Sequence, residues 1–407
     1  MNASAAPLIK VMFRVDASLI IGSGHLMRCL TLANAMRTHG WQVMFCCREH
    51  LGHQIALVEQ QGFSCFRLPL LDSPAAASHV NLGTSVKDAL PQEGDLAWLG
   101  ATETEDAAAF INILQQLQLS PDLLVIDHYG LGSIFETALK PSCGHILVID
   151  DLANRRHVAD FLMDQNLLPD AEQRYQGLLT PGCQPLIGPE YALLRPEFLQ
   201  EKTTQHPDNA ISSPYPLRNF STEPVQLLVF FGGSDIENLT ALAIAALQGL
   251  QNLSWLADIV IGSANPHLSL LQQLCEEDYR LTLHVQTPGM ATLMAKAQLM
   301  IGGGGATHWE RCAMALPALV VSLSANQQPT SAYLAKLGAC VYLGPSATLR
   351  QEELGSEIAL LLRQPEKLQR MAQVAATLVA PEGGCRRLLQ RLAQRLESSG
   401  GSSHLED

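Results

Sequence analysis

Short apolar runs, each closed by a polar or charged residue and followed by a stretch of helical periodicity, recur along almost the whole chain. In the first half they occupy residues 8–15, 42–46, 123–126 and 145–149. They stop at Asp16, Arg48, Asp127-His128 and Asp150-Asp151. Near-continuous apolar runs of this length suit strands buried on both faces, as in parallel sheets covered by crossover helices. Helices are expected at about 25–39, 53–61 and 106–117. The strand pattern resumes at 226–231, 257–261, 281–285, 299–301, 318–323 and 340–343. In open parallel sheets ligands gather beyond the carboxyl ends of the strands. The residues that close the runs are therefore the first candidates for a site.

Between the two series lies residues 201–224, with four prolines and no hydrophobic period, which reads as a linker. The expected organisation is an N-terminal α/β domain over 1–200, this linker, a C-terminal α/β domain over 225–397, and a disordered tail over 398–407. A chain of 407 residues is long enough for two domains with separate cores.

The net charge of −13 argues against nucleic acid as a partner, since phosphate backbones demand clustered Lys and Arg. An anionic small molecule remains compatible, because glycine loops and helix N-termini bind phosphate without net basicity. The ten cysteines form no C-x-x-C pair and no Cys/His cluster of metal-ligand spacing. They read as apolar fillers in a reducing compartment. Residues 1–7 lack the features of a signal peptide, and no apolar stretch approaches ~20 residues, so a cytoplasmic protein without membrane partners is expected.

Two glycine loops carry the chemistry. Gly22-Ser23-Gly24-His25 follows the first strand and opens a helix, with Arg28 one turn on. Glycine admits close backbone approach, a helix N-terminus supplies free N–H groups, and imidazole is the side chain suited to moving a proton near neutral pH. Taken alone, the tetrad reads better as a tight strand–helix turn with an exposed histidine. The second loop, Gly302-Gly303-Gly304-Gly305-Ala306-Thr307, sits between a strand and the helix that begins near His308. Consecutive glycines there present several N–H groups in the nest geometry that binds phosphate oxygens. Neither loop carries the G-K-[S/T] of a P-loop or a complete dinucleotide fingerprint, which argues against a nicotinamide cofactor. Phe231-Gly232-Gly233-Ser234-Asp235 closes a strand of the second domain as a phosphate or sugar contact, or as a turn. Asn326 and Gln327 offer amides suited to sugar hydroxyls, or they cap the next helix. Asp127-His128-Tyr129 is a substrate-pocket candidate, whereas Asp150-Asp151 reads as structural.

Taken in order, these segments resemble one family, the UDP-2,4-diacetamido-2,4,6-trideoxy-β-L-altropyranose hydrolases of pseudaminic acid biosynthesis. The resemblance rests on Arg14-Val15-Asp16-Ala17-Ser18, Ile21 through Leu30, Trp98-Leu99-Gly100, Asp127 through Leu131, Val148 through Leu152 and Asp164-Gln165-Asn166-Leu167. It continues through Gly188 to Phe198, Phe231 to Asp235, Gly303 to Cys312 and Ala325-Asn326-Gln327. Two departures are a long linker and His308, which stands where a small hydroxyl residue is common. The family is similar to the GT-B glycosyltransferases, notably the enzyme that adds GlcNAc to lipid I. That implies two Rossmann-like domains with parallel sheets facing a central cleft.

By position, the resemblance makes His25 the catalytic base and assigns the sugar to Asp16, Gly22, Gly24, Arg28, Asp127, Tyr129, Asn326 and Gln327. It assigns UDP to Gly233, Ser234, Met290, Gly304, Gly305, Ala306, Thr307 and Glu310, the last through the ribose. The expected reaction is attack of water on C1, activated by His25, with inversion and release of UDP. No metal and no cofactor are implied, because N–H donors suffice to stabilise a diphosphate leaving group. A monomer or weak oligomer is expected. The alternatives are a UDP-sugar-dependent glycosyltransferase and a non-catalytic nucleotide-sugar-binding module.

Overall fold

The computed structural model describes residues 8–18, 21–70, 96–199, 218–380 and 382–400. The chain divides into two compact units, each built on one fully parallel sheet. Of the expected linker, residues 201–217 lie outside the described residues, as do residues 401–407 of the expected tail.

The first unit carries seven strands: β1 (Lys10–Val15), β2 (Gln42–Arg48), β3 (Ser64–Leu68), β4 (Leu123–Asp127), β5 (His145–Ile149), β6 (Phe161–Asp164) and β7 (Gln184–Ile187). Their order is β3-β2-β1-β4-β5-β6-β7. The chain winds outward from β1 through β2 and β3, then returns to the other side of β1 with β4. Topology therefore reverses between β1 and β4, the place where doubly wound sheets open a crevice. The register pairs Val15 with Asp127, so residues following β1 emerge beside the end of β4.

Strands β1, β2, β4 and β5 match the apolar runs of the sequence. β3 and β7 have no such run because they are edge strands: Ser64 and Arg67 of β3 and Gln184 and Pro185 of β7 are exposed. Pro185 is tolerable there, since an edge strand leaves one side of its ladder unpaired.

The second unit carries β8 (Val225–Phe230), β9 (Trp255–Ile261), β10 (Leu281–Val285), β11 (Leu299–Gly303), β12 (Ala318–Ser322) and β13 (Val341–Pro345), in the order β10-β9-β8-β11-β12-β13. All six correspond to runs legible in the sequence. Its topology reverses between β8 and β11, which places Gly232-Gly233 and the four-glycine loop at that sheet's own switch point.

The second unit closes at Gly383, short of the 397 expected from the sequence, and the last helix, Gly384–Gly400, belongs with the first unit. Leu388, Leu389, Leu392 and Leu396 recur at helical spacing and are buried in the core formed by Val11, Phe13, Leu26, Phe45 and Val125. Gly384 packs so tightly on Tyr191 and Ala192 that a Cβ at this position would overlap their backbone atoms. The second unit's core is separate, built around Leu227, Ile259, Ile301, Leu319 and Ile358.

Candidate active site

In the first unit the helix Gly24–Thr38 starts directly after the glycine turn. Gly22 has φ +76°, a conformation that other residues adopt only with strain, and its N–H donates to the Ser18 carbonyl at 2.8 Å. This turn delivers His25 to the first turn of the helix, beside the end of β4. There Nδ1 of His25 lies 2.6 Å from Oδ1 of Asp127. Arg28, one turn on, donates Nε to Oδ2 and Nη2 to Oδ1 of the same carboxylate, both at 2.6 Å. Cys29 Sγ adds a weaker contact at 3.3 Å.

Burial by itself raises the Asp127 carboxyl, but the charges of Arg28 and His25 more than offset this and hold it far below the usual carboxylate range. An ionised carboxylate only accepts, so Nδ1 of His25 carries the proton it shares with Asp127. Arg28 Nη2, 3.1 Å from Nδ1, then faces a donor and makes no bond to it. In the neutral imidazole the lone pair is left on Nε2, which has no hydrogen-bond partner among the described residues. The ring is packed edge-on against Tyr129, with centroids 4.5 Å apart, and Trp98 stands 6.4 Å away.

Asp151 ties this group together, accepting from Arg28 Nη1 at 3.1 Å and from the Tyr129 hydroxyl at 2.5 Å. The sequence marked Asp151 as merely structural and Trp98 only as a matched position. Neither carries a local signal of its role, because both reach His25 or its neighbours through the tertiary fold.

Asp16 and Asp127, both expected at the sugar, have their carboxylates engaged with protein groups. Asp127 is buried and saturated by His25, Arg28 and Cys29. Asp16 is wholly buried, with Arg14 Nη1 and Nη2 at 2.6 and 2.9 Å and the Arg48 N–H at 2.6 Å. Arg14 also grips Asp106, at 2.8 and 2.9 Å, and Arg48 reaches the same carboxylate at 2.6 Å. This buried lattice joins β1, β2 and the helix Glu103–Gln116, and sequence spacing gave no sign of it. Arg28 is likewise engaged with Asp127 and Asp151, and Tyr129 with Asp151, whereas a Cβ on Gly22 or Gly24 would meet nothing within 4 Å.

Among the described residues, Asp16, His50 and His128 are close enough together to suggest a metal site. Their hydrogen bonding argues against it. His128 Nδ1 accepts the Gly130 N–H at 3.0 Å, so its Nε2 carries the proton; it lies 3.3 Å from Asp16 but outside hydrogen-bond geometry. Asp16 is already neutralised by Arg14, and a divalent cation would add uncompensated buried charge.

In the second unit, the amides of Gly305, Ala306 and Thr307 have no hydrogen-bond partner among the described residues. They form three successive donors at the end of β11. Gly304, also expected at the diphosphate, has its own N–H bonded to the Val321 carbonyl at 3.0 Å. Its lack of a side chain matters instead, since a Cβ there would collide with Ser331 Oγ and come within 3.1 Å of His308 Nε2. His308 is buried behind the loop, with Nε2 3.0 Å from Ser331 Oγ and Arg311 Nη2 3.1 Å from Nδ1. Burial first, and Arg311 second, push its ionisation well below the ordinary histidine range.

Asn326 precedes the helix Gln327–Leu337 and accepts from the Ser324 hydroxyl at 2.6 Å. Gln327 accepts from the Leu323 N–H at 2.9 Å, and its amide nitrogen lies near Gly305. Gly233 and Gly262 bring the β8 and β9 loops into backbone contact, the Gly262 N–H donating to the Gly233 carbonyl at 2.9 Å. Ser234 follows in the same β8 loop, and Asp235 caps the next helix through the N–H groups of Leu239 and Thr240. Met290 begins the helix Met290–Lys296, and its side chain is buried. Glu310 lies on the helix after the glycine loop, paired with Arg195 at 3.0 Å.

Two doubly wound parallel sheets in one chain, each with a glycine turn at its switch point, define the GT-B architecture. Solved structures agree. MurG of Acinetobacter baumannii superposes with a TM-score of 0.61 at 16% identity, over 96% of this chain and 100% of that one. UGT2 of Phytolacca americana, complexed with UDP-2-fluoro-glucose and pterostilbene, gives 0.60 at 12% identity, over 96% and 100%. Residues 227–383 match the glycosyltransferase family 28 C-terminal domain. The chain is similar, at 25% identity over 331 residues, to the UDP-2,4-diacetamido-2,4,6-trideoxy-β-L-altropyranose hydrolase of Campylobacter jejuni, covering 81% of this chain and 97% of that protein. No helix among the described residues is long and apolar enough to cross a membrane.

Proposed function

We propose that this protein hydrolyses UDP-2,4-diacetamido-2,4,6-trideoxy-β-L-altropyranose to the free sugar and UDP, a step of pseudaminic acid biosynthesis. The observation that carries the reading is the His25–Asp127 contact of 2.6 Å, which leaves Nε2 as the proton-accepting atom of an oriented imidazole. Nε2 takes a proton from water as the water oxygen bonds to C1. The C1–O bond to the diphosphate breaks, its electron pair leaves with UDP, and configuration at C1 inverts. The imidazolium formed is stabilised by Asp127. UDP is a good leaving group and needs no general acid. The free N–H groups of Gly305, Ala306 and Thr307 suit the charge that grows on its phosphates, which is the electrostatic assistance this step requires. The chemistry as drawn needs neither metal nor cofactor, and the reading places it in the cytoplasm.

The match to a glycosyltransferase family 28 domain favours one second reading, transfer of the sugar to an acceptor hydroxyl in place of water. The two separate in one assay: UDP release from a panel of UDP-diacetamido-trideoxy sugars with water as sole acceptor. Hydrolysis predicts multiple turnovers, abolished by ~10²–10⁴-fold in kcat in His25→Ala with UDP affinity unchanged. In ¹⁸O-water the label belongs in the sugar. Label in UDP, or a fully active His25→Ala, would refute the mechanism.

A further inference from the structure

The segment from Gly188 to Phe198 resembles the hydrolase family closely, yet the reaction above gives it no task. Its Arg195 makes an uneven grip. Nε and Nη2 both donate to Oε1 of Glu310, at 3.1 and 3.0 Å, and Oε2 has no hydrogen-bond partner among the described residues. Arginine and carboxylate more often pair through both oxygens. Here the fork is held off that arrangement on its other sides. Nη1 pairs with Glu197 at 2.9 Å, and the guanidinium lies 4.9 Å from the centre of the Phe198 ring. Glu310 is mostly buried, but its Oε2 is not among the fully buried polar atoms that lack a partner, so this oxygen is open to a polar group from outside. It stands one turn beyond the three free amides of Gly305, Ala306 and Thr307.

We propose that Arg195 is a positioning residue: by occupying Oε1 alone it presents Oε2 of Glu310 to a single ribose hydroxyl, making the second unit selective for a ribonucleoside diphosphate. The inference rests on the reading of Glu310 as the ribose contact. One free oxygen, rather than two, means that one of the two hydroxyls carries the discrimination.

The test is calorimetric binding of UDP, 2′-deoxy-UDP and 3′-deoxy-UDP to the full chain and to Arg195→Met, Arg195→Lys and Glu310→Gln. A hydrogen bond to a charged group is worth ~10-fold or more in affinity. The wild type should prefer UDP over one deoxy analogue by about that factor and over the other by much less. The preference should fall below about threefold in Arg195→Met and Glu310→Gln. Arg195→Lys keeps the charge but cannot span both carboxylates, and should lose most of the preference. If Arg195→Met weakens all three ligands equally, Arg195 is only structural and the proposal is overturned. Should Arg195→Met not fold, an unchanged preference in folded Arg195→Lys overturns it as well. A wild type indifferent to both hydroxyls refutes the ribose reading itself, a different result from wild-type discrimination that survives loss of Arg195.

Discussion

Asp127→Asn isolates the contribution of the carboxylate behind His25. The substitution keeps the shape of the side chain and removes its charge from a group whose two oxygens serve His25 and Arg28 at 2.6 Å. When His25 takes a proton, its positive charge forms about 4 Å from the centre of the Asp127 charge. At an effective dielectric near 20 that attraction is ~4 kcal/mol, or roughly 10³-fold in rate. Arg28 stays in place and repels the imidazolium in both proteins, so it does not reduce the difference. An asparagine amide turned toward Nδ1 also favours the wrong tautomer, with the proton on Nε2. The expectation is a fall in kcat of ~10²–10³-fold, measured as UDP release under saturating substrate. UDP affinity should change less than about twofold, since the free amides belong to the other unit. The variant leaves Arg28 short of a charged partner, so a thermal melt must accompany the kinetics. A folded Asp127→Asn within threefold of wild-type kcat would refute the account of His25.

Two further perturbations test the rest of the structure. Gly304→Ala places a Cβ against Ser331 and His308 and should cost ~1–3 kcal/mol with a lowered Tm. Gly305→Ala meets only the Gln327 amide, at 3.5 Å, and should melt like the wild type; equal melting of the two would contradict the packing behind the loop. His157 gives a pH signature. Burial lowers its ionisation, but Asp150 and Glu136 outweigh burial and lift it to about 9. The folded value exceeds the unfolded one, so this stabilisation is complete below about pH 6.5 and is lost as pH rises toward 9, by at most ~3 kcal/mol. Urea unfolding of His157→Gln should show a flatter decline across that window; an identical slope would remove His157 from the cause.

The expected roles of Asp16 and Asp127 show where reading the chain reaches its limit. Both were recognisable as strand-end acids, and both do lie at the switch point of their sheet. What each touches was not recognisable, because their partners are set by strand order: Asp127 meets His25 only because β4 pairs with β1. The Arg14–Asp106 contact spans 92 residues because the helix Glu103–Gln116 packs against the sheet beside β1.

By itself, the sequence determined the two parallel sheets, the two glycine turns and the likeness to a UDP-sugar hydrolase. These follow from local rules: a buried strand needs a continuous apolar run, a sharp turn into a helix needs glycine, and a helix needs its own period. The tertiary structure alone decided that Asp127 orients His25, that Arg195 holds one oxygen of Glu310, and that the last helix returns to the first unit. Those outcomes depend on which distant groups share a desolvated space. Burial there makes every charge find a partner, and the partner is chosen by topology rather than by spacing along the chain.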